Sequence, residues 1–137
     1  MKVTGGCYCG GVRYEVDGDP SFKAQCHCRE CQYITGGGPN FFMVMPASGF
    51  KLSQGQTKSF TRSDLAAPVT REFCPNCGTH ILTRAPGLKD GIVLKVGSMD
   101  EPKQYGTPQI AIFTMDKQTY HTIADGLPSF ERMPGSA

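Results

Sequence analysis

The sequence predicts one mainly β domain of short strands with little helix, and three observations predict it. Gly and Pro supply 17 and 10 of the 137 residues, so turns must be frequent and long helices rare. Apolar and polar residues alternate with period two in several short runs, the pattern of half-buried strands. Seven cysteines fall in three tight groups, Cys7/Cys9, Cys26/Cys28/Cys31 and Cys74/Cys77, a spacing that can tie short strands together through metal ions.

Val12, Tyr14 and Val16 alternate with Arg13, Glu15 and Asp17 and give the first expected strand. Phe22, Ala24 and Cys26 alternate with Lys23 and Gln25 and give the second. Residues 29–34 are expected to form a short helix, and 41–45 an apolar strand between a Gly-Gly-Gly-Pro segment and Pro46. Further strands are expected at 57–62, 70–73, 79–84, 92–96, 110–114 and 120–123, with a second short helical stretch at 99–105 that Pro102 limits. Asp17-Gly18, Asp90-Gly91 and Asp125-Gly126 are turn signals between them. No linker, repeat or low-complexity segment interrupts the chain, so residues 1–137 read as a single zinc-type domain, with 131–137 expected to fray.

Residues of apolar type make up 39% of the chain and charged ones 19%. That is enough for one modest core and too apolar for disorder. The formal charge is +2, and no run of basic residues favours a nucleic-acid partner. Residues 1–6 lack the apolar run of a signal peptide and no membrane span is visible. The expectation is a cytoplasmic protein with no membrane partner. In a reducing compartment, clustered cysteines read as metal ligands rather than disulfides.

Zinc takes four soft ligands in a tetrahedron, with sulfur at about 2.3 Å. Phe73-Cys74-Pro75-Asn76-Cys77-Gly78 is a tight turn that can aim two thiolates at one ion, because Asn and Gly tolerate the left-handed conformation. Seven ligands divide as four plus three. The local triple Cys26, Cys28 and Cys31 can close on one ion, leaving the remote pairs Cys7/Cys9 and Cys74/Cys77 to share another. The expected cofactors are therefore two Zn²⁺ per chain. The same thiols can also ligate an iron–sulfur cluster.

With these positions in hand, the chain resembles the glutathione-dependent formaldehyde-activating enzyme family, also called the centromere-protein-V domain. The matching motifs are Gly6-Cys7-Tyr8-Cys9-Gly10-Gly11-Val12-Arg13-Tyr14, Cys26-His27-Cys28-Arg29-Glu30-Cys31, Phe73-Cys74-Pro75-Asn76-Cys77-Gly78-Thr79 and Ala124-Asp125-Gly126-Leu127-Pro128-Ser129-Phe130. The resemblance implies a zinc-containing β-tent fold. It implies that Cys7, Cys9, Cys74 and Cys77 hold a structural zinc and that Cys26, Cys28 and Cys31 hold a second one. Many relatives carry a Trp just before the Asp-Gly-Leu-Pro segment; this chain has no Trp, and Tyr120-His121 occupies that region.

A three-thiolate zinc leaves one position open, as in catalytic sites. Its net charge of −1 makes it a poor generator of hydroxide and a better host for a thiol. The expected activity is that of a carbon–sulfur lyase resembling S-(hydroxymethyl)glutathione synthase. The expected catalytic residues are Cys26, Cys28 and Cys31, and the small-molecule partner that the resemblance implies is glutathione or its aldehyde adduct. Arg29 and Gly37 are the expected substrate-binding residues: Arg29 for a carboxylate, and the loop 36–38 for N–H donors to a developing alkoxide. The competing reading is a non-catalytic zinc module for a protein or nucleic-acid partner. His27 is expected to face away from the metal, His80 to be a strand residue, and His121 to lie on the surface.

Overall fold

The structure, a computed structural model, is described for residues 1–135. The expected Ser136–Ala137 end of the tail lies outside them. Ten strands form two sheets. The smaller sheet is β1 (Lys2–Gly6), β2 (Arg13–Asp17) and β5 (Phe50–Gln54), in the order β1-β2-β5 and antiparallel throughout. The larger contains β3 (Phe22–Cys26), β4 (Asn40–Pro46), β6 (Lys58–Thr61), β7 (Thr70–Phe73), β8 (His80–Arg84), β9 (Gly91–Lys95) and β10 (Ile110–Ile112). Its order is β10-β3-β4-β9-β8-β7-β6, and only β10 runs parallel to its neighbour. One helix, α1 (Arg29–Thr35), packs on β4. The mainly β, helix-poor architecture expected from the sequence is the one observed.

Strand β4 explains how the layers assemble. Its residues Met43 and Met45 are buried on one face, and Phe42 and Val44 on the other. A strand covered on both sides reads as a continuous apolar run rather than an alternation. Met43 and Met45 join Val3, Tyr14 and Val16 of the small sheet with Ile92 and Leu94, so the first core lies between the sheets. Phe42 and Val44 join Ala24, Cys26, Cys31 and Ile112 in a second core on the opposite face, at α1. The cysteine triple is part of this second core.

Three departures from the sequence reading have physical causes. Strand β1 was not expected, because Gly5 and Gly6 weaken strand propensity. Here Gly5 is required: a Cβ there would lie 2.3 Å from the Ser98 carbonyl oxygen. Strand β5 was hidden because Phe50 and Leu52 are only partly buried against the first core and Gly55 follows at once. The expected strand at 120–123 is irregular backbone; its order comes from side-chain hydrogen bonds of His121 rather than from a ladder. The second helical stretch is a single 3-10 turn, Pro102–Tyr105, opened by its proline. At the C-terminal end, the carbonyls of Glu131 and Arg132 accept bonds from the N–H groups of Met115 and Phe113 at 3.4 Å. No helix among the described residues is long and apolar enough to cross a membrane.

Candidate functional site

The sulfurs of Cys7, Cys9, Cys74 and Cys77 all lie within 4.8 Å of one another. Cys7 and Cys9 end the β1 side of a turn closed by Cys7 N–H to the Val12 carbonyl, 3.0 Å. Cys74 and Cys77 stand on the expected knuckle, where Gly78 turns at φ 77° and donates to the Cys74 carbonyl. The Sγ–Sγ separations are 3.6 Å for Cys7–Cys9 and 3.8 Å for Cys9–Cys74. A regular tetrahedron with 2.3 Å bonds has edges of about 3.8 Å, so the sulfurs already stand where four ligands of a zinc-sized ion would. Backbone N–H groups point at them: Val12 at Cys7 (3.2 Å), and Asn76 and Cys77 at Cys74 (both 3.4 Å). Such donors steady negative sulfur. The Thr79 hydroxyl at 3.2 Å, with backbone N–H groups, lowers the Cys77 thiol to about 5. These contacts join the β1–β2 hairpin to the β7–β8 hairpin.

Cys26, Cys28 and Cys31 form the second group within 4.8 Å, and no fourth His, Cys, Asp or Glu joins them among the described residues. Cys26 ends β3 and Cys28 is the N-cap of α1, its Sγ accepting from the Cys31 N–H at 3.3 Å. One side chain thus begins the helix and presents a ligand atom. Three adjoining sulfurs cannot all ionise without a cation between them. Sulfur–sulfur hydrogen bonds lower Cys28 to about 3 and push Cys26 far up; Cys31 is pulled down by Cys26 but raised by Cys28 and by burial, to about 11. The donor set, its burial and its crowding fit a soft divalent cation.

His27 is fully buried between two of these cysteines, and both of its ring nitrogens are engaged. The partners fix the tautomers. His121 Nε2 lies 2.7 Å from the Gly37 carbonyl and must donate to it, so His121 Nδ1 accepts. His27 Nδ1 therefore donates to His121 Nδ1 over 2.9 Å, and His27 Nε2 accepts from Gln25 Nε2 at 3.0 Å. Gln25 gives its other proton to the Thr122 carbonyl at 3.2 Å. Burial first, and then His121, hold His27 below the usual imidazole range. His121 is not a surface residue: it is 6% exposed and ties the loop after α1 to His27, which follows β3. Sequence reading missed this because a lone His in an alternating run carries no sign of its partner 94 residues away. His121→Phe is expected to strand the His27 Nδ1 proton in the core and lower stability by about 1–3 kcal/mol, measured by urea unfolding; unchanged stability would contradict the assigned chain of hydrogen bonds.

The expected substrate-binding pair is placed differently from the triple's surroundings. Arg29 is exposed, stacks over the Tyr33 ring at 5.0 Å and donates to Gln32 Oε1. The N–H groups of Gly36 and Gly37 both donate to the Gln32 carbonyl, and the Gly37 carbonyl accepts from Tyr120 Oη and His121. The donor role expected of loop 36–38 is therefore filled at these two glycines by the helix cap. Neither Arg29 nor Gly37 lines the two clefts beside α1.

Those clefts share Ile34 and His80 as a common wall. The larger, of about 560 Å³, carries Lys58, Arg62 and Arg71 over Phe60, Leu65 and Phe73. Arg62 pairs with Asp64 and Arg71 with Glu30; Lys58 makes no ion pair among the described residues. The smaller, of about 330 Å³, is lined by Lys95, Asn40 and His80. Lys95 is only 6% exposed and has no carboxylate partner among the described residues. Burial lowers its ammonium to about 8, against the pull of the three sulfurs. His80 has a buried Nδ1 with no partner and stacks near Phe73.

Two comparisons bear on this arrangement. A family model described as glutathione-dependent formaldehyde-activating enzyme matches residues 2–116. The crystal structure of a Rhodobacter sphaeroides protein superimposes with a TM-score of 0.61 at 18% identity, covering 79% of this chain and 97% of that one. At that identity the likeness is one of fold.

Proposed function

The chain belongs to the glutathione-dependent formaldehyde-activating enzyme family, and from that membership we propose that it is a carbon–sulfur lyase that joins glutathione to formaldehyde, giving S-hydroxymethylglutathione. The observation that carries this reading is the incomplete ligand set: three gathered thiols, with no fourth protein donor among the described residues, at the helix that walls a basic cleft. In this reading both clusters hold zinc. At the triple, bound zinc supplies affinity for a thiol and keeps its sulfur nucleophilic at neutral pH.

The chain's own residues supply the rest. Glutathione has two carboxylates, and Lys58, Arg62 and Arg71 offer three cations in the larger cleft. The apolar floor of Phe60, Leu65 and Phe73 receives the peptide chain. The buried Gln25–His27–His121 chain fixes the Cys26–Cys28 segment against the loop after α1, so the triple is presented in one geometry. Sulfur then adds to the carbonyl carbon. The S–C bond forms, the carbonyl π pair moves to oxygen, and the thiol's proton ends on that oxygen.

The test is condensation of glutathione with formaldehyde by the zinc-loaded protein, followed above the uncatalysed background. Excess rate is expected; none would refute the reading. Lys58→Ala is expected to raise KM for glutathione about 10-fold with kcat little changed, since it removes one charge-assisted contact. An unchanged KM would remove the larger cleft from the binding site.

A further inference from the structure

Lys95 is the least explained charge in the molecule. It ends β9 opposite Phe42 of β4, while Cys26 lies opposite Asn40 and Ala24 opposite Phe42. Side chains directly opposite one another share a sheet face, as do residues two apart along a strand. Lys95, Phe42, Asn40 and Cys26 therefore stand on one face, the one that carries α1 and the triple. A lysine in such a place normally has an acidic partner. Among the described residues no carboxylate pairs with Lys95 and no hydrogen bond holds its ammonium; the opposite charge it feels is that of the three sulfurs. Asn40 is also buried, and its side chain makes no hydrogen bond among the described residues. Both line the smaller cleft with His80, and the triple is reached from them through Cys26, which lies opposite Asn40 across the β3–β4 ladder.

We propose that this smaller cleft is an oxyanion site in which the Lys95 ammonium and the Asn40 amide bind the oxygen of the aldehyde as its carbonyl pair moves there. The proposal rests on the condensation reading for the identity of that oxygen, and on burial and register for the site itself. The site answers a need of the reaction. Addition of sulfur to an aldehyde places negative charge on oxygen, and donors already aimed at that position lower the barrier without reorganising. The N–H groups of Gly36 and Gly37 are engaged in the α1 cap. Lys95 and Asn40 are not engaged. Small aldehydes fit the volume of about 330 Å³, and the division of labour follows: thiol in the larger cleft, aldehyde in the smaller.

Formate is the probe, because its carboxylate mimics the oxygen and it cannot react. Titrated into the zinc-loaded wild type, formate is expected to shift the Lys95 Nζ resonance and to compete with formaldehyde rather than with glutathione. Lys95→Met keeps the length and removes a buried unpaired charge, so it should melt no lower than the wild type. It is expected to retain both metals and glutathione binding, to lose formate binding, and to lose about 100-fold in kcat/KM for formaldehyde. Formate binding or kcat/KM equal to the wild type in Lys95→Met overturns the proposal. An unmoved Lys95 signal in the wild type overturns it without any variant. If the wild type fails to condense the substrates but binds formate through Lys95, the oxyanion site stands and the condensation reading falls. If the wild type is active and Lys95→Met matches it, the reverse holds.

Discussion

Cys77→Ser is expected to leave the protein unfolded or insoluble. Cys77 is one of four sulfurs that join the β1–β2 hairpin to the β7–β8 hairpin, and Cys9 and Cys74 are 65 residues apart at 3.8 Å. Metal binding at a site formed only on folding contributes its binding free energy to stability, about 10–16 kcal/mol for structural zinc in small peptides. Whole domains are stable by only about 5–15 kcal/mol. Losing most of one such contribution therefore exceeds what two packed sheets of short strands can absorb. Serine also leaves its hydroxyl beside three crowded sulfurs that lack their shared cation. Circular dichroism and soluble yield of Cys77→Ser check this; a wild-type melting curve would show that the first cluster is not a staple.

Cys31→Ser is expected to behave in the opposite way: folded, with one metal fewer, and without condensation activity. Cys26, Cys28 and Cys31 lie within five residues of each other in sequence, so their metal closes only a short loop. The strand and helix that carry them are held independently, by the β3–β4 and β3–β10 ladders and by the Gln25–His27–His121 bonds. The cost to stability is that of one buried sulfur position, about 1–3 kcal/mol, whereas the loss of activity is complete in the proposed mechanism. Melting temperature and metal content of Cys31→Ser, set beside Cys77→Ser, read the difference. If both variants unfold, or both stay folded, the two clusters do not have separate jobs.

How much of this was legible in the sequence depended on range. The cysteine groups were legible because their spacing is local: a Cys-x-x-Cys turn and a Cys-x-Cys-x-x-Cys stretch dictate ligand direction without knowledge of the fold, and the four-plus-three division of the sulfurs is the one observed. Strands with a clean alternation, such as β2 and β3, were legible for the same reason. What escaped was set by distant partners. His121 looked like one residue of a strand and is instead an acceptor for His27, the residue that follows β3. Lys95 lies inside the expected strand 92–96 and drew no reading of its own; nothing nearby in sequence says that it is buried in the fold. Arg29 drew interest from its place inside the triple; in a helix the residue after an N-cap points outward here, and its guanidinium lies on Tyr33. The two clefts, built from α1 together with β4, β6, β7, β8 and β9, could not be read from any one segment.

The central claim is that seven sulfurs serve two separate metal ions, one of which lacks a fourth protein ligand. Native mass spectrometry of the intact, folded protein measures it most directly. The expected mass is that of the chain plus two zinc ions, falling to one when a thiol-competing chelator removes the ion at the triple while the protein stays folded. One metal per folded chain from the outset, or a mass that reports an iron–sulfur cluster, would contradict the account.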